Sequence, residues 1–343
     1  MRPLTVRRLL WTCGLLALVL LACVVLALKL GAVPISVTDL VWNLGRVALG
    51  RSDQLPTEYR LIVFDLRLPR ILLGILVGAS LSVAGASFQA MLRNPLADPY
   101  ILGVSSGAAV GAIVAILTGL SALSLGIPLA SSVGALLTIL TVFYFGRQEG
   151  KIHPNTLLLA GVITSSFLSA IIMFFLSVSQ REELHTILFW LMGDFSLANE
   201  EALRVTFPYL IFGFALLYFQ SRQLNLILLG EENAVQLGVN VERVKWISYF
   251  LASLMTAASV SVCGLIGFVG LIVPHSVRLL FGPDHRLLLP ASALLGASFL
   301  IASDTIARTL LTPVELPVGV VTAVFGGPFF IYLLRTRKVV KTL

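Results

Sequence analysis

Only a few residues inside the hydrophobic stretches of this chain have side chains that could do chemistry. His275 lies in an uncharged stretch, where a hydrogen-bonded packing histidine is expected and a ligand site is the alternative. Asp304 and Arg308 lie one helical turn apart, which predicts an ion pair; a proton-relay carboxylate is the alternative. No nucleophile–base pairing and no metal-ligand spacing occurs in the sequence. We therefore predict no catalytic site and no metal site.

The sequence also lacks a nucleotide-binding loop of the phosphate-cradling type. Residues 146–151 read GRQEGK, which is one residue too short and has no Ser or Thr after the lysine. The three cysteines, Cys13, Cys23 and Cys263, fall inside hydrophobic stretches and predict buried free thiols. We therefore expect no cofactor, and any energy from ATP would have to come from a partner.

Hydrophobic stretches are the elements that must position these residues. Hydrophobic residues make up 57% of the 343 residues and charged residues 12%, about half the charged fraction of a soluble domain. Residues 99–146 carry no charge, and one membrane crossing needs only about 20 apolar residues. The sequence predicts an all-α polytopic membrane protein, with residues 1–343 forming a single transmembrane domain.

The hydrophobic pattern places the individual helices. It predicts about ten spanning helices, over residues 9–30, 70–92, 99–118, 127–146, 155–178, 204–221, 245–265, 267–282, 287–306 and 317–335. A shorter apolar piece at 184–193 predicts a half-helix that does not cross. The first stretch exceeds the apolar core of about 7–15 residues of a signal peptide, so we expect a retained span.

The basic residues predict the orientation. If the N-terminus lies inside, most of the 24 lysines and arginines fall in inside segments, as the positive-inside rule requires. Both termini are therefore predicted to be cytoplasmic. The net charge of +7 comes from these flanks, and no basic patch with interleaved aromatic residues indicates a nucleic acid partner.

An ordered set of motifs covers most of the chain from about residue 60. Residues 67–112 contain RLPR and RNPLADP, and residues 227–245 contain LLGEENAVQLG. Residues 264–334 contain GFVGLIVPH, DHR, ELPVGV and GGPFF, and LLLAG stands at 157–161. In this order, the chain resembles the FecCD-type permease subunits of bacterial ATP-binding-cassette (ABC) importers for iron–siderophore complexes, haem and cobalamin.

The resemblance implies a fold and a set of partners. It implies a type II ABC importer permease fold in the bacterial inner membrane, with a second permease copy, identical or paralogous, around one path. It also implies two cytoplasmic ATPase subunits and an extracytoplasmic substrate-binding protein. An iron–siderophore complex is the first expected cargo, with haem or cobalamin as the others.

The segment 227–245 is the richest charged cytoplasmic segment between two spans. It predicts a short helix with Ala234, Val235 and Leu237 as apolar contacts and Gly238 as its end. The resemblance implies a coupling helix, in which Glu231, Ala234, Leu237 and Gly238 serve the ATPase. A solvated loop is the alternative.

Three arginines stand on the predicted outer side. Arg67 and Arg70 begin the second span, and Arg308 follows the ninth. The resemblance implies that they dock acidic groups of the binding protein, and interfacial snorkelling is the alternative.

The translocation path is the least specified feature of the sequence. The resemblance implies that the fifth and tenth spans and the half-helix line it. Ser165, Ser166, Ser169 and Met173 are candidate wall residues, and ordinary helix packing is the alternative. An ion-coupled secondary transporter is the rival function, but the scarcity of charge in the spans disfavours it.

Overall fold

The structure is a computed structural model of the chain and describes residues 4–31, 33–50, 55–196 and 198–335. The predicted cytoplasmic termini at 1–3 and 336–343 lie outside the described residues. The described helices are α1 (Val6–Lys29), α2 (Val37–Ala48), α3 (Thr57–Arg60), α4 (Leu68–Met91), α5 (Val104–Leu117), α6 (Gly126–Gly146), α7 (Pro154–Val178), α8 (Arg181–Met192), α9 (Glu200–Phe219), α10 (Ser221–Leu228), α11 (Glu231–Gln236), α12 (Val241–Cys263), α13 (Val269–Phe281), α14 (His285–Thr309) and α15 (Val318–Arg335).

Smaller elements complete the described chain. A π-helical turn, Leu61–Arg67, joins α3 to α4, and a 3₁₀ turn, Leu120–Ala122, lies between α5 and α6. Strands β1 (Arg147–Gln148) and β2 (Lys151–Ile152) form an antiparallel hairpin after α6.

Every predicted span has a helix in the structure, so the prediction of an all-α polytopic membrane protein is confirmed. Among the described residues, seven helical segments are long and apolar enough to cross a membrane, and α5, α13 and α15 are shorter apolar helices. The half-helix is α8, which a capping box between Gln180 and Glu183 starts. The sequence pattern missed the amphipathic α2 and α10, because short helices give no span-length signal.

The third span begins five residues later than predicted, because the RNPLADP motif folds into turns. The Asn94 side chain accepts the backbone N–H of Leu96 at 2.9 Å, and Asp98 accepts that of Tyr100 at 2.8 Å. Such Asx turns compete with helix formation. Gly103, at φ +78°, then precedes α5.

Helix α4 lies at the centre of the bundle, where it packs against α12, α13 and α14. Small residues let α4 and α14 approach closely: a Cβ at Gly78 would collide with the backbone of Gly296. This close backbone contact is typical of membrane bundles, where small residues line helix interfaces.

Contacts at the helix ends define the two ends of the bundle. At one end, which we call the lysine end after Lys245, the Lys245 ammonium donates to the carbonyl of Ile152 at 3.1 Å, and Arg8 donates to Phe281 at 2.7 Å. At the other, the arginine end, Arg67, Arg70 and Arg308 connect α1, α4 and α14. Successive spans therefore alternate in direction.

Candidate coupling and docking sites

The segment between α9 and α12 folds into two short helices at the lysine end. Helix α11 ends in a Schellman turn: Val239 donates its N–H to Ala234 at 3.0 Å, and Gly238 donates to Val235 at 2.9 Å. Gly238 has φ +82°, which is easiest for glycine. The predicted end of the short helix is thus found at Gly238.

The structure separates Ala234 from Leu237, although both were predicted as apolar contacts that serve the ATPase. Ala234 is 0% exposed and packs with Leu224, Ile227 and Val244. Leu237 is 62% exposed, and Val235 beside it is similarly exposed. Ala234 therefore anchors α11 on the bundle, which corrects the prediction that it faces a partner. The exposed pair Val235 and Leu237 forms what we call the apolar knob.

An ion pair fixes α11 to the next span. The Lys245 ammonium lies 2.6 Å from a carboxylate oxygen of Glu231 and 3.6 Å from Glu242. The Lys245 side chain is 2% exposed. Glu242 also accepts the N–H of Ile152 at 2.8 Å, which ties the hairpin to the same lysine. Glu231 therefore holds α11 in register with α12.

A second corner of the lysine end forms at the start of α14. Asp284 accepts hydrogen bonds from Asn225 of α10 at 2.8 Å and from Arg286 at 3.0 Å. Partial burial would raise the pKa of Asp284, but the hydrogen bonds from Arg286 and Asn225 outweigh it and lower the pKa to about 2. The carboxylate is therefore ionised at neutral pH, and α10 is attached to α14.

At the arginine end, the predicted ion pair between Asp304 and Arg308 is confirmed, with a nitrogen–oxygen distance of 3.0 Å. A carboxylate oxygen of Asp304 also lies 2.9 Å from a guanidinium nitrogen of Arg70. Arg70 extends the group to Glu315 at 2.8 Å and Asp194 at 3.8 Å. We call these five residues the arginine-end network; it joins α4 and α14 to the loops that precede α9 and α15.

The arginines of this end are turned inward. Arg67 is 6% exposed and donates to the carbonyls of Leu28 and Val33, and Arg308 is 7% exposed and also donates to Ala27. Burial against a membrane bundle is possible because each guanidinium has acceptors. The prediction that Arg67, Arg70 and Arg308 dock acidic groups is untested, and their inward geometry favours an internal structural use.

Two carboxylates of the arginine-end network, Glu315 and Asp194, are more accessible than its arginines, whereas Asp304 is buried. The Glu315 side chain is about half exposed and that of Asp194 is one-quarter exposed, whereas the Arg70 side chain is 11% exposed. A partner that approached this surface would meet carboxylates before guanidinium groups. No sequence pattern predicts that Asp194 and Glu315 join this network, because both lie far along the chain from Arg70.

The four candidate path residues lie on α7 but do not share one environment. Ser166, Ser169 and Met173 are exposed on one side of the helix. Ser165 is half-buried, and its hydroxyl points toward α5, near Gly103. The exposed side of α7 is thus available to line a path with a second chain, and Ser165 belongs to helix packing.

His275 is buried within α13 at 1% exposure, as expected for a packing histidine. Neither ring nitrogen has a hydrogen-bond partner among the residues that the structure describes. The expected hydrogen bond is therefore not found there. Cys263 is buried, whereas Cys13 and Cys23 are only partly buried, and all three are free.

The sequence model of the FecCD transport family matches residues 19–336. The chain belongs to this family. The match includes the later part of α1 and the spanning helices that follow it, from α4 through the end of α15. Family membership makes the chain a transport permease, which agrees with the lack of a catalytic constellation in its sequence.

Relatives within the FecCD family agree over most of the chain. The cobalamin import permease BtuC of Halobacterium salinarum is 46% identical over 90% of this chain and 83% of its own length. The hemin transport permease HmuU of Yersinia pestis is 40% identical over 81% of this chain and 84% of its own. Both relatives are permeases of transport systems, and the first belongs to an import system, so the predicted function class is confirmed.

A solved structure gives the same fold. A metal-chelate type ABC transporter in an inward-facing conformation is 34% identical and has a TM-score of 0.83, covering 94% of this chain and 98% of that one. The predicted ABC importer permease fold is thereby confirmed for this FecCD family member.

Proposed function

We propose that this chain is the permease subunit of an importer that moves a bulky metal chelate across the cytoplasmic membrane of a bacterium. The whole chain acts as one transmembrane domain, with the lysine end and both termini in the cytoplasm. The positive-inside distribution of lysine and arginine supports this orientation.

The apolar knob is the observation that carries the energetic part of the proposal. Val235 and Leu237 project from a segment that Ala234 and the Glu231–Lys245 pair fasten to α12. We take these two exposed apolar side chains, next to the charged residues Glu231 and Glu232 and outside the spanning helices, as the centre of a contact with another protein. Because the sequence lacks a phosphate-cradling loop, we assign this contact to a separate ATPase subunit, two of which serve the assembled importer.

The cargo belongs to the class that the relatives' names describe. Those names include cobalamin, hemin and Fe(3+)-citrate permeases. An iron–siderophore complex is the first cargo to test, delivered from outside by a binding protein. The path runs between this chain and a second permease copy, along the exposed side of α7 and beside α8 and α15.

The mechanism is alternating access without covalent chemistry in this chain. Nucleotide binding brings the ATPase subunits together, and the knob transmits that movement through Lys245 to α12. The helices around the path then change the side on which it opens. The wall side chains Ser166, Ser169 and Met173 offer weak contacts, which suits a path that must release its cargo.

The division of labour can be tested with purified proteins. The isolated chain should neither bind nor hydrolyse ATP, and co-expression with an ATPase subunit should yield a complex of two permeases and two ATPases. Native mass spectrometry measures the stoichiometry, and a fluorescent ATP analogue measures binding, with the isolated ATPase as the positive control. Stoichiometric ATP binding by the isolated chain would contradict the proposal.

A further inference from the structure

Helix α2 is a short helix at the arginine end that the proposed transport function does not use. Ser36 caps it, with its hydroxyl accepting the N–H of Asp39 at 3.0 Å. Its 12 residues extend about 18 Å at the usual rise per residue, too short to cross a bilayer core of about 30 Å. Unlike the short apolar helices α5, α13 and α15, it also carries Asp39 and Arg46 within these 12 residues, so it lies beside the bundle rather than through the membrane.

One face of α2 is fastened to the protein. Leu40 and Asn43, one turn apart, are both buried. Leu40 belongs to a cluster of buried apolar residues that includes Ala27 of α1 and Val63 of the π-helical turn. The helix is thus held against the outer end of α1 and the entry to α4.

The opposite face of α2 carries exposed apolar side chains that have no apolar partner among the residues that the structure describes. Val41, Trp42 and Leu49 lie there, and Trp42 is 67% exposed. Asp39 and Arg46 lie along one edge, between the exposed and the buried faces, and the Arg46 guanidinium lies 5.3 Å from the Trp42 ring centroid. Helical geometry therefore gives α2 a protein face, an apolar outward face and a charged edge.

The apolar face of α2 continues a surface that belongs to lipid. Helix α1 is a membrane-spanning helix with only 6% of its apolar window buried. Its exposed side chains continue through Leu26, Leu30 and Val33 to α2. Because this apolar surface is continuous with the lipid-facing side of α1, lipid covers it more readily than a water-soluble protein does.

We propose that α2 is an interfacial helix that lies in the headgroup region of the outer leaflet, anchored by Trp42. Tryptophan is enriched at that depth because its ring is apolar and its N–H is polar. The charged edge of Asp39 and Arg46 faces the headgroups, and the apolar face enters the lipid by about 5–10 Å, as in other interfacial helices. The occupant of this face is the phospholipid surface.

The membrane contact has a structural consequence for the arginine end. Arg67 donates to the carbonyls of Leu28, in the last turn of α1, and of Val33, in the connection that leads to α2. Anchoring α2 in the leaflet fixes the segment that these carbonyls belong to. The lipid surface thereby helps to position the start of α4.

Fluorescence quenching tests the proposal on the full chain in lipid nanodiscs. A variant with W11F, W190F and W246F leaves Trp42 as its sole tryptophan. Its emission should be blue-shifted and should lose more intensity to phosphatidylcholine brominated near the headgroup than to lipid brominated near the chain end. Aqueous acrylamide should quench it weakly, and addition of a binding protein should change nothing.

A second readout serves if the single-tryptophan variant folds poorly. Nitroxide labels at V41C and at the edge control D39C, in a background without Cys13, Cys23 and Cys263, report exposure to oxygen and to a water-soluble nickel chelate. Oxygen should dominate at position 41 and the nickel chelate at position 39. Strong acrylamide quenching of Trp42 would show a water-facing helix, and protection from both acrylamide and bromine would show a protein partner; either result overturns the proposal.

Discussion

Replacing Asp304 by asparagine is expected to lower the free energy of unfolding of the bundle by about 3–5 kcal/mol, the usual cost of removing one partner from a buried ion pair. Asp304 is 3% exposed and bonds both Arg70 and Arg308. After the substitution, two nearby guanidinium groups lose their shared carboxylate while they remain buried. Thermal unfolding of the detergent-purified chain measures the loss.

The matched control is Glu200→Gln. It breaks a pair with Arg204 at 2.7 Å, but both side chains are about three-quarters exposed. Exposed pairs contribute about 0–1 kcal/mol, so this variant should unfold almost like the wild type. Equal stability of Asp304→Asn and Glu200→Gln would show that the arginine-end network does not hold the bundle.

The same variants decide the docking prediction. Arg308→Glu should destabilise the bundle as Asp304→Asn does, because it places a second carboxylate beside Asp304. A docking arginine would instead show weaker binding-protein affinity at unchanged stability, with stronger loss at high salt. That result would return Arg67 and Arg308 to the surface role that the sequence suggests.

Leu237→Asp is expected to weaken association with the ATPase subunit about thirtyfold or more, because a charge left unpaired in an interface costs about 2 kcal/mol or more. Leu237 is exposed at the tip of the apolar knob, so the chain should still insert and fold. Surface plasmon resonance on the detergent-purified proteins gives the affinity. Leu123→Asp is the matched control, because Leu123 is also 62% exposed but lies in a loop at the arginine end.

Ala234→Asp should fail for a different reason. Ala234 is fully buried on the side of α11 that packs against the bundle, so a carboxylate there meets an apolar cluster without a partner. We expect the isolated chain to unfold at a lower temperature than the wild type, even without the ATPase subunit. Normal stability of this variant, together with normal uptake by Leu237→Asp, would show that the segment has no role in coupling.

The sequence predicts the spans well, because an uncharged stretch of span length has few structures other than a membrane helix. The end of the short helix at Gly238 is also predicted, because helices commonly end at a glycine that adopts a left-handed backbone conformation. Features that depend on neighbouring residues in the chain, such as spans and helix ends, can therefore be predicted from the sequence.

Features set by distant contacts were not accessible from the sequence. Arg70 pairs with residues more than a hundred positions away, and no pattern near Arg70 shows that Asp304 and Glu315 approach it. The burial of Ala234 depends on which side of α11 meets α10 and α12. In both cases, the packing of helices decides which way a side chain faces, and no local pattern in a single sequence shows how the helices pack.

ATP-driven uptake into proteoliposomes tests the central claim most directly. The chain is reconstituted with its ATPase subunit, and the binding protein carrying labelled iron–siderophore, haem or cobalamin is supplied on the outer side. We predict accumulation of one chelate that requires ATP inside, is lost with Leu237→Asp, and persists when the proton gradient is collapsed. Uptake that continues without ATP and follows an imposed proton gradient would contradict the account and identify an ion-coupled transporter.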